Sequence, residues 1–285
     1  MVALALASAL IPGSGVVAQQ DLICLFAEPS LGAEVVTQAR LGEVATVEEV
    51  GGPAARGWVR VRMAHDGYVG WAEAKGFVPG SWPPVGVPLF YVRQRFAHVY
   101  AAPRVQSRLE IVAPLGTPLA AAAGEAPEGW LKVSGPAGRG GFVQTGDVTP
   151  EGAAWRFRSL PELRESLVRT AEQLLGVPYR WGGTTPWGID CSGLVQLVYR
   201  LHGLVLPRDA SDQARDPRTV RVSRDELLPG DLLFFANYGH VGLAISHRQF
   251  IHATTHGSPV VQISEVDDPH WRDRLDEVRR PQLSP

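Results

Sequence analysis

The most regular apolar stripe in the chain lies in "CSGLVQLVYRL". There Leu194, Leu197, Val198 and Leu201 recur at three- and four-residue steps, as one buried helix face requires. A second helix is predicted over 161–176. Pro161 suits its first turn, Leu163, Leu167, Ala171, Leu174 and Leu175 form its stripe, and Gly176 ends it. After the second of these helices in the chain the period shortens. "DLLFFAN", "HVGLAIS", "QFIHATT" and "VVQISEV" read as four strands joined by short turns. A helix pair followed by an antiparallel sheet is an α+β pattern.

The pattern before residue 150 is different. Short alternating segments are split by Gly or Pro, and they repeat. The first copy runs "LFAEPS", "RLGEVATVEEV", "GWVRVRM", "GYVGW"; the second runs "VYAAPR", "PLGTPLAAAA", "GWLKVSG", "GFVQTGDV". Pro29 to Gly42 spans thirteen residues, as does Pro103 to Gly116. Each copy reads as a small all-β barrel with a Gly-Trp pair (Trp58, Trp130) opening one strand, and the tryptophans are expected in the barrel cores. "VPGSWPPVGVP", 78–88, links the copies, and "TPEGAAW", 149–155, leads into the third part. The expected domains are therefore 20–78, 85–149 and 160–285, after an N-terminal segment 1–19.

Composition changes this picture little. With 285 residues, 45% apolar and 20% charged, the chain has the make-up of a soluble protein of two or three domains. A net charge of −2 gives no reason to expect nucleic acid or an anionic membrane as partner. "VALALASAL" is too short to span a bilayer, so no transmembrane anchor is expected. "VVA" resembles a signal-peptidase site, yet no Lys or Arg precedes Arg40. The segment reads either as a leader or as part of the first domain, which leaves the compartment open. A disulfide between Cys24 and Cys191 would have to join different domains, so none is expected; Cys24, in "LICLF", reads as strand packing.

Cys191 falls at the first turn of its helix, where amide dipoles favour a thiolate. The same place suits a small buried cysteine, and spacing alone does not choose. A nucleophile needs a base, and the base an orienting partner. His240 opens a strand in "NYGHVGLAI", where Gly239 lets a neighbour approach; His252 sits in the next strand. Their imidazoles can face one another if the register allows, although each also fits a partly exposed strand end. His247, His256 and His270 read as surface, and His65, His98 and His202 as belonging to the barrels or a helix end.

"PYRWGGTTPWGIDCSGLVQLVY", "LPRDASDQ", "LLPGDLLFF", "GHVGLAI" and "FIHAT" occur in the order found in the NlpC-type cysteine peptidases of bacterial cell-wall metabolism, which residues 160–285 resemble. The resemblance implies an α+β papain-like catalytic domain in permuted order, preceded here by two SH3-like barrels. It implies Cys191 as nucleophile, His240 as base and His252 as orienter, with Tyr179 helping to hold the oxyanion and no metal or cofactor. The substrates implied are peptidoglycan-derived peptides, cut between D-γ-glutamyl and a diamino acid. A pair of barrels before the catalytic domain resembles the subgroup that trims free muropeptides in wall recycling. In that subgroup the first barrel closes one end of the groove and admits a free N-terminal L-alanine. Glu43, Tyr68, Asp190 and Ser192 match that end, and Asp209 matches a further substrate position. Ala210 stands where related sequences often carry serine, with Ser211 after it, a departure from that pattern. Carboxylates would offset the desolvation of the ammonium; Glu43 and Tyr68 otherwise read as a solvated turn residue and as barrel core. A monomer is expected. Hydrolysis of intact murein with wall-binding barrels, a non-catalytic wall-binding protein, and acyl transfer through the same thioester stay open as alternatives.

Overall fold

A computed structural model describes residues 10–151, 157 and 159–283. Most of the N-terminal segment, 1–9, and most of the lead-in at 152–156 lie outside the described residues. The chain forms two compact units, Met1–Ala154 and Trp155–Pro285.

The first unit holds two seven-stranded antiparallel sheets. The first contains β1 (Gly15–Ala18), β2 (Leu22–Phe26), β3 (Val35–Arg40), β4 (Val44–Val50), β5 (Trp58–Met63), β6 (Val69–Glu73) and β7 (Phe77–Pro79). The second contains β8 (Leu89–Val92), β9 (Phe96–Tyr100), β10 (Leu109–Pro114), β11 (Pro118–Ala121), β12 (Trp130–Ser134), β13 (Gly140–Gln144) and β14 (Val148–Pro150). The strand orders are β3-β2-β6-β5-β4-β1-β7 and β10-β9-β13-β12-β11-β8-β14, so each strand of one has its counterpart in the other. The sequence repeat is a repeat of topology. β1 pairs with both β4 and β7, so the first sheet reaches back before residue 20 and takes in the "VVA" triplet.

Alternation decides what fills the cores. In β5, Val59, Val61 and Met63 point inward and are buried, which puts Trp58 on the other face. Contrary to expectation, neither Trp58 nor Trp130 is a core residue. Each is half-buried and meets an aromatic edge-to-face, Phe26 at 5.6 Å and Tyr100 at 5.9 Å. Cys24 is likewise half-buried, because Ile23 and Leu25 take the inward positions. Trp82, in the Pro- and Gly-rich link, lies against Gly42, where a β-carbon would come within 2.9 Å of its ring. Leu41 from the β3–β4 turn is fully buried in the core of the second sheet. Asp21 accepts from the Val112 N–H and pairs with Arg139, which fixes the two sheets against each other.

The second unit begins with α1 (Leu160–Glu172), capped by Ser159, whose hydroxyl accepts from the Glu162 N–H. Then come the hairpin β15 (Thr184–Thr185) and β16 (Gly188–Ile189), and the helices α2 (Cys191–Leu201) and α3 (Ala210–Ala214). A six-stranded antiparallel sheet follows, in the order β17-β22-β18-β19-β20-β21. Its strands are β17 (Thr219–Val222), β18 (Leu232–Phe235), β19 (His240–Ala244), β20 (Gln249–Thr254), β21 (Val260–Glu265) and β22 (Leu275–Pro281), with the short α4 (Pro269–Arg272) before the last. The four expected strands are present. α2 is buried all round rather than on one face, because α1 packs against it as do β19 and β20.

Candidate active site

Cys191 is the first residue of α2, and Asp190 is its N-cap. Asp190 accepts from the Gly193 N–H at 2.7 Å and the Gly182 N–H at 2.9 Å, so one carboxylate ties the helix start to the Gly-rich loop. Gly193 is needed there, since a β-carbon would lie 2.2 Å from the Gly183 carbonyl oxygen. Arg208 donates to both Asp190 oxygens and, at 2.9 Å, to Ser192 Oγ. Ser192 Oγ in turn donates to Asp190 at 3.2 Å. Asp190, Ser192 and Arg208 are all buried, and the guanidinium neutralises the carboxylate.

Cys191 itself is on the other side of this arrangement. The backbone of Val241, the residue after His240, hydrogen-bonds to its sulfur. Burial pushes the Cys191 thiol up to about 12, and the neighbouring Asp190 carboxylate adds to the rise; Val241, Ser192 and Arg208 oppose it. The helix start favours a thiolate, but desolvation outweighs it, so the resting sulfur is a thiol. Burial likewise holds His240 down to about 4, with His270 acting in the same direction. The imidazole is therefore neutral at pH 7, a state able to accept a proton.

β19 and β20 are hydrogen-bonded neighbours with Leu243 opposite Ile251 and Ala244 opposite Phe250. Continuing that register puts Gly242 opposite His252, and His240 on the same face one diagonal away. His240 Nε2 and His252 Nδ1 lie 2.8 Å apart. The residue that makes room is Gly242 rather than Gly239. A β-carbon at 242 would sit 2.4 Å from the Phe250 ring, whereas at 239 it would meet only a carbonyl oxygen at 3.2 Å. His252 is fully buried and is pushed down to about 2, by burial first and then by His240, His256 and His270. Trp271 walls the pair, stacked on His240 at 5.2 Å and edge-on to His252 at 4.6 Å. The turn into His240 holds three consecutive left-handed residues without glycine, Ala236, Asn237 and Tyr238 (φ 55°, 57° and 62°). Such residues cost about 1–2 kcal/mol each. Asp276 accepts from the Tyr238 N–H at 3.0 Å and holds the turn.

Tyr179 lies close enough to Cys191 and Asp190 for their charges to act on it. Burial first, then those two neighbours, push its hydroxyl up to about 12, so it stays a hydrogen-bond donor. Asp209 is half-buried at the start of α3, where its carbonyl, not its side chain, caps the helix. Ala210 is buried beside it and Ser211 is half-buried. Gln213 of α3 donates to the Ser192 carbonyl at 3.0 Å.

Glu43 and Tyr68 belong to the first unit. Glu43 is buried, not solvated: it accepts from the Arg40 N–H at 2.9 Å, Arg40 Nε at 3.1 Å and Arg40 Nη2 at 2.8 Å. Arg40 Nη1 donates to the Leu115 carbonyl in the turn after β10. Tyr68 is half-buried in the β5–β6 turn, outside the core, with its N–H on Asp66. Sequence reasoning missed Arg208, although it stands within "LPRDASDQ", and gave no role to Ser264 or Trp271. His256 and His270, read as surface, stack on each other at 3.6 Å.

The NlpC/P60 family model matches residues 176–280, and the model for a bacterial dipeptidyl-peptidase Sh3 domain matches 25–76. Dipeptidyl-peptidase 6 of Lysinibacillus sphaericus is 32% identical over 254 residues, which cover 86% of this chain and 89% of that protein. The chain belongs to the NlpC/P60 family. Gamma-D-glutamyl-L-lysine dipeptidyl-peptidase of Bacillus cereus is 28% identical over 269 residues, covering 86% of this chain and 74% of that one. The crystal structure of an NlpC/P60 family protein from Bacillus cereus ATCC 10987 has the same fold, with a TM-score of 0.77 at 23% identity, covering 95% of this chain and 100% of that chain. This NlpC/P60 protein is thus a cysteine-type peptidase, a hydrolase, with a papain-like domain and an SH3-like domain before it. Among the described residues, no helix is long and apolar enough to cross a membrane.

Proposed function

We propose that the protein hydrolyses the D-γ-glutamyl–diamino acid bond of free peptidoglycan stem peptides that begin with L-alanine. The observation that carries this reading is the 2.8 Å His240–His252 contact on the sheet that packs against the Cys191 helix. The names of relatives, dipeptidyl-peptidases among them one for gamma-D-glutamyl-L-lysine, support the substrate class. The second seven-stranded sheet, with the strand order of the first, supports its reading as a second SH3-like barrel.

Cys191 is the nucleophile. His240 Nδ1, the ring nitrogen that His252 does not engage, takes the thiol proton as sulfur attacks the γ-carbonyl carbon. The oxyanion is met by the Cys191 N–H and the Tyr179 hydroxyl, donors of a kind often worth about 100- to 1,000-fold in rate. Collapse breaks the C–N bond, His240 returns the proton to the departing amine, and a thioester remains. Water, deprotonated by His240, releases the L-Ala-D-Glu acid. The thiol and imidazole begin neutral, so the proton moves as substrate is attacked.

In the second unit Asp190 and Ser192 are assigned to the peptide's free ammonium end and Asp209 to a further contact; Glu43 and Tyr68, in the first unit, carry the same assignment by resemblance alone. Arg40 and Arg208 already neutralise Glu43 and Asp190. With both carboxylates already neutralised, the preference for a free ammonium is moderate, about 10- to 100-fold. The test offers L-Ala-D-γ-Glu-diaminopimelate, its N-acetyl form, the lysine analogue and whole sacculi, with products identified by mass. Free tripeptide is expected to be cut at least about tenfold faster than the acetylated form. Equal rates, or preferential attack on sacculi, would replace this reading with hydrolysis of intact wall.

A further inference from the structure

We propose that Ser264 is a positioning residue that sets the tautomer of both histidines and so makes His240 a base. The inference rests on the reading of Cys191 and His240 given above. Phe250 pairs with Ser264 across β20 and β21, and His252 with Gln262, so Ser264 and His252 share one face of the sheet. Ser264 Oγ lies 3.0 Å from His252 Nε2, and His252 Nδ1 lies 2.8 Å from His240 Nε2. The His252 ring has no freedom to turn away, being fully buried between Phe250 at 4.5 Å and Trp271 at 4.6 Å.

A neutral imidazole carries one N–H, so this chain has two states. In the first, His240 Nε2–H donates to His252 Nδ1, and His252 Nε2–H donates to Ser264 Oγ. His240 Nδ1 is then a bare lone pair that can take the Cys191 proton. In the second, the serine hydroxyl donates to His252 Nε2, His252 Nδ1–H donates to His240 Nε2, and His240 Nδ1 carries a proton and is inert as a base. Ser264 is half-buried, so its own hydrogen can turn to water while its oxygen accepts. The first state also gains as His240 becomes an imidazolium, because each donor in the chain strengthens. Without the serine oxygen, the first state would leave a buried N–H unpartnered, whereas the second leaves only a bare acceptor. A buried unpartnered N–H is the rarer of these in folded proteins, so the inert tautomer gains weight.

The test reads tautomers directly by long-range proton–nitrogen correlation in histidine-labelled protein, beside steady-state kinetics on the tripeptide. In the unmodified protein His252 is expected as the Nε2–H form. Ser264→Ala should shift it toward Nδ1–H and lower kcat about 10- to 100-fold with KM little changed. Ser264→Thr, which keeps the oxygen, should restore both. An Nδ1–H His252 in the unmodified protein overturns the proposal without any variant. So does a Ser264→Ala enzyme with unchanged kcat, or one with reduced kcat and an unchanged tautomer. Turnover by Cys191→Ala would instead overturn the underlying reading, so the two failures are distinct.

Discussion

Asp190 and Cys191 are consecutive, yet they belong to regions of opposite electrostatic character. On the Asp190 side, carboxylate, guanidinium and hydroxyl form an ionised network, buried and mutually satisfied. On the Cys191 side the thiol is neutral, and two neutral imidazoles and a serine hydroxyl form a hydrogen-bonded chain. Asp190, Ser192, Arg208, Cys191 and His252 are buried, while His240 and Ser264 are half-buried. What differs is whether a full counter-charge is present. A buried charge is tolerable when paired, and a buried titratable group without one becomes neutral. The ionised side therefore holds the helix start and loop in place, while the neutral side keeps protons available to move.

The largest way to break the comparison is on the neutral side. Cys191→Ala should reduce turnover by about 10⁴-fold or more with the melting temperature little changed. His240→Ala should come close to it, and His252→Ala should fall short by about tenfold or more, because an orienter carries no proton itself. Equal losses at His240 and His252 would revise their roles. The ionised side should respond in stability instead. Arg208→Met strands the Asp190 carboxylate and should cost about 3–5 kcal/mol in denaturant unfolding. Asp190→Asn with Arg208→Met should recover part of that.

Acid separates the two sides less sharply. His240 and His252 are held below the ordinary histidine value in the fold, and so is His202, at about 4 through burial. The unfolded chain therefore binds more protons than the native one once pH falls below about 6.5. Stability present at pH 7 should be lost progressively from there, down to about pH 4 for His240 and His202 and on to about pH 2 for His252, at about 1.4 kcal/mol per pH unit for each histidine. His202 donates and accepts between Val198 and Ser166, away from the chemistry. His202→Gln should flatten the slope by about one proton and leave activity in place. An unchanged slope would contradict the burial argument.

Much of the site was legible because its residues sit at positions with a local signature. Cys191 follows a helix-capping Asp, and His240 and His252 open or occupy apolar strands joined by a short turn. The repeat was legible for the same reason, since Gly42 and Gly116 take left-handed turns (φ 83° and 81°) at matching positions of the two copies. What the sequence hid depends on register. Ser264 occupies a polar position of an alternating strand and looks like any solvent-facing serine until His252 is found on its face. Gly242 outranks Gly239 only once the Phe250 ring is placed. β17 and β22 escaped notice because β22, "LDEVRRP", buries only Val278 and Pro281, so it lacks an apolar run. Trp58 and Trp130 lie off the core because Val59, Val61 and Met63 in β5, and Val133 in β12, take the inward positions.

In the proposed mechanism Cys191 attacks the γ-carbonyl of a free murein peptide. The most direct measurement is acid quenching of the protein during turnover of L-Ala-D-γ-Glu-diaminopimelate, followed by intact and peptide mass analysis. The expected result is an L-Ala-D-γ-Glu thioester on the peptide that contains Cys191, absent after Cys191→Ala. Release of diaminopimelate with no adduct on Cys191 under any quench, or with undiminished rate in Cys191→Ala, would contradict it.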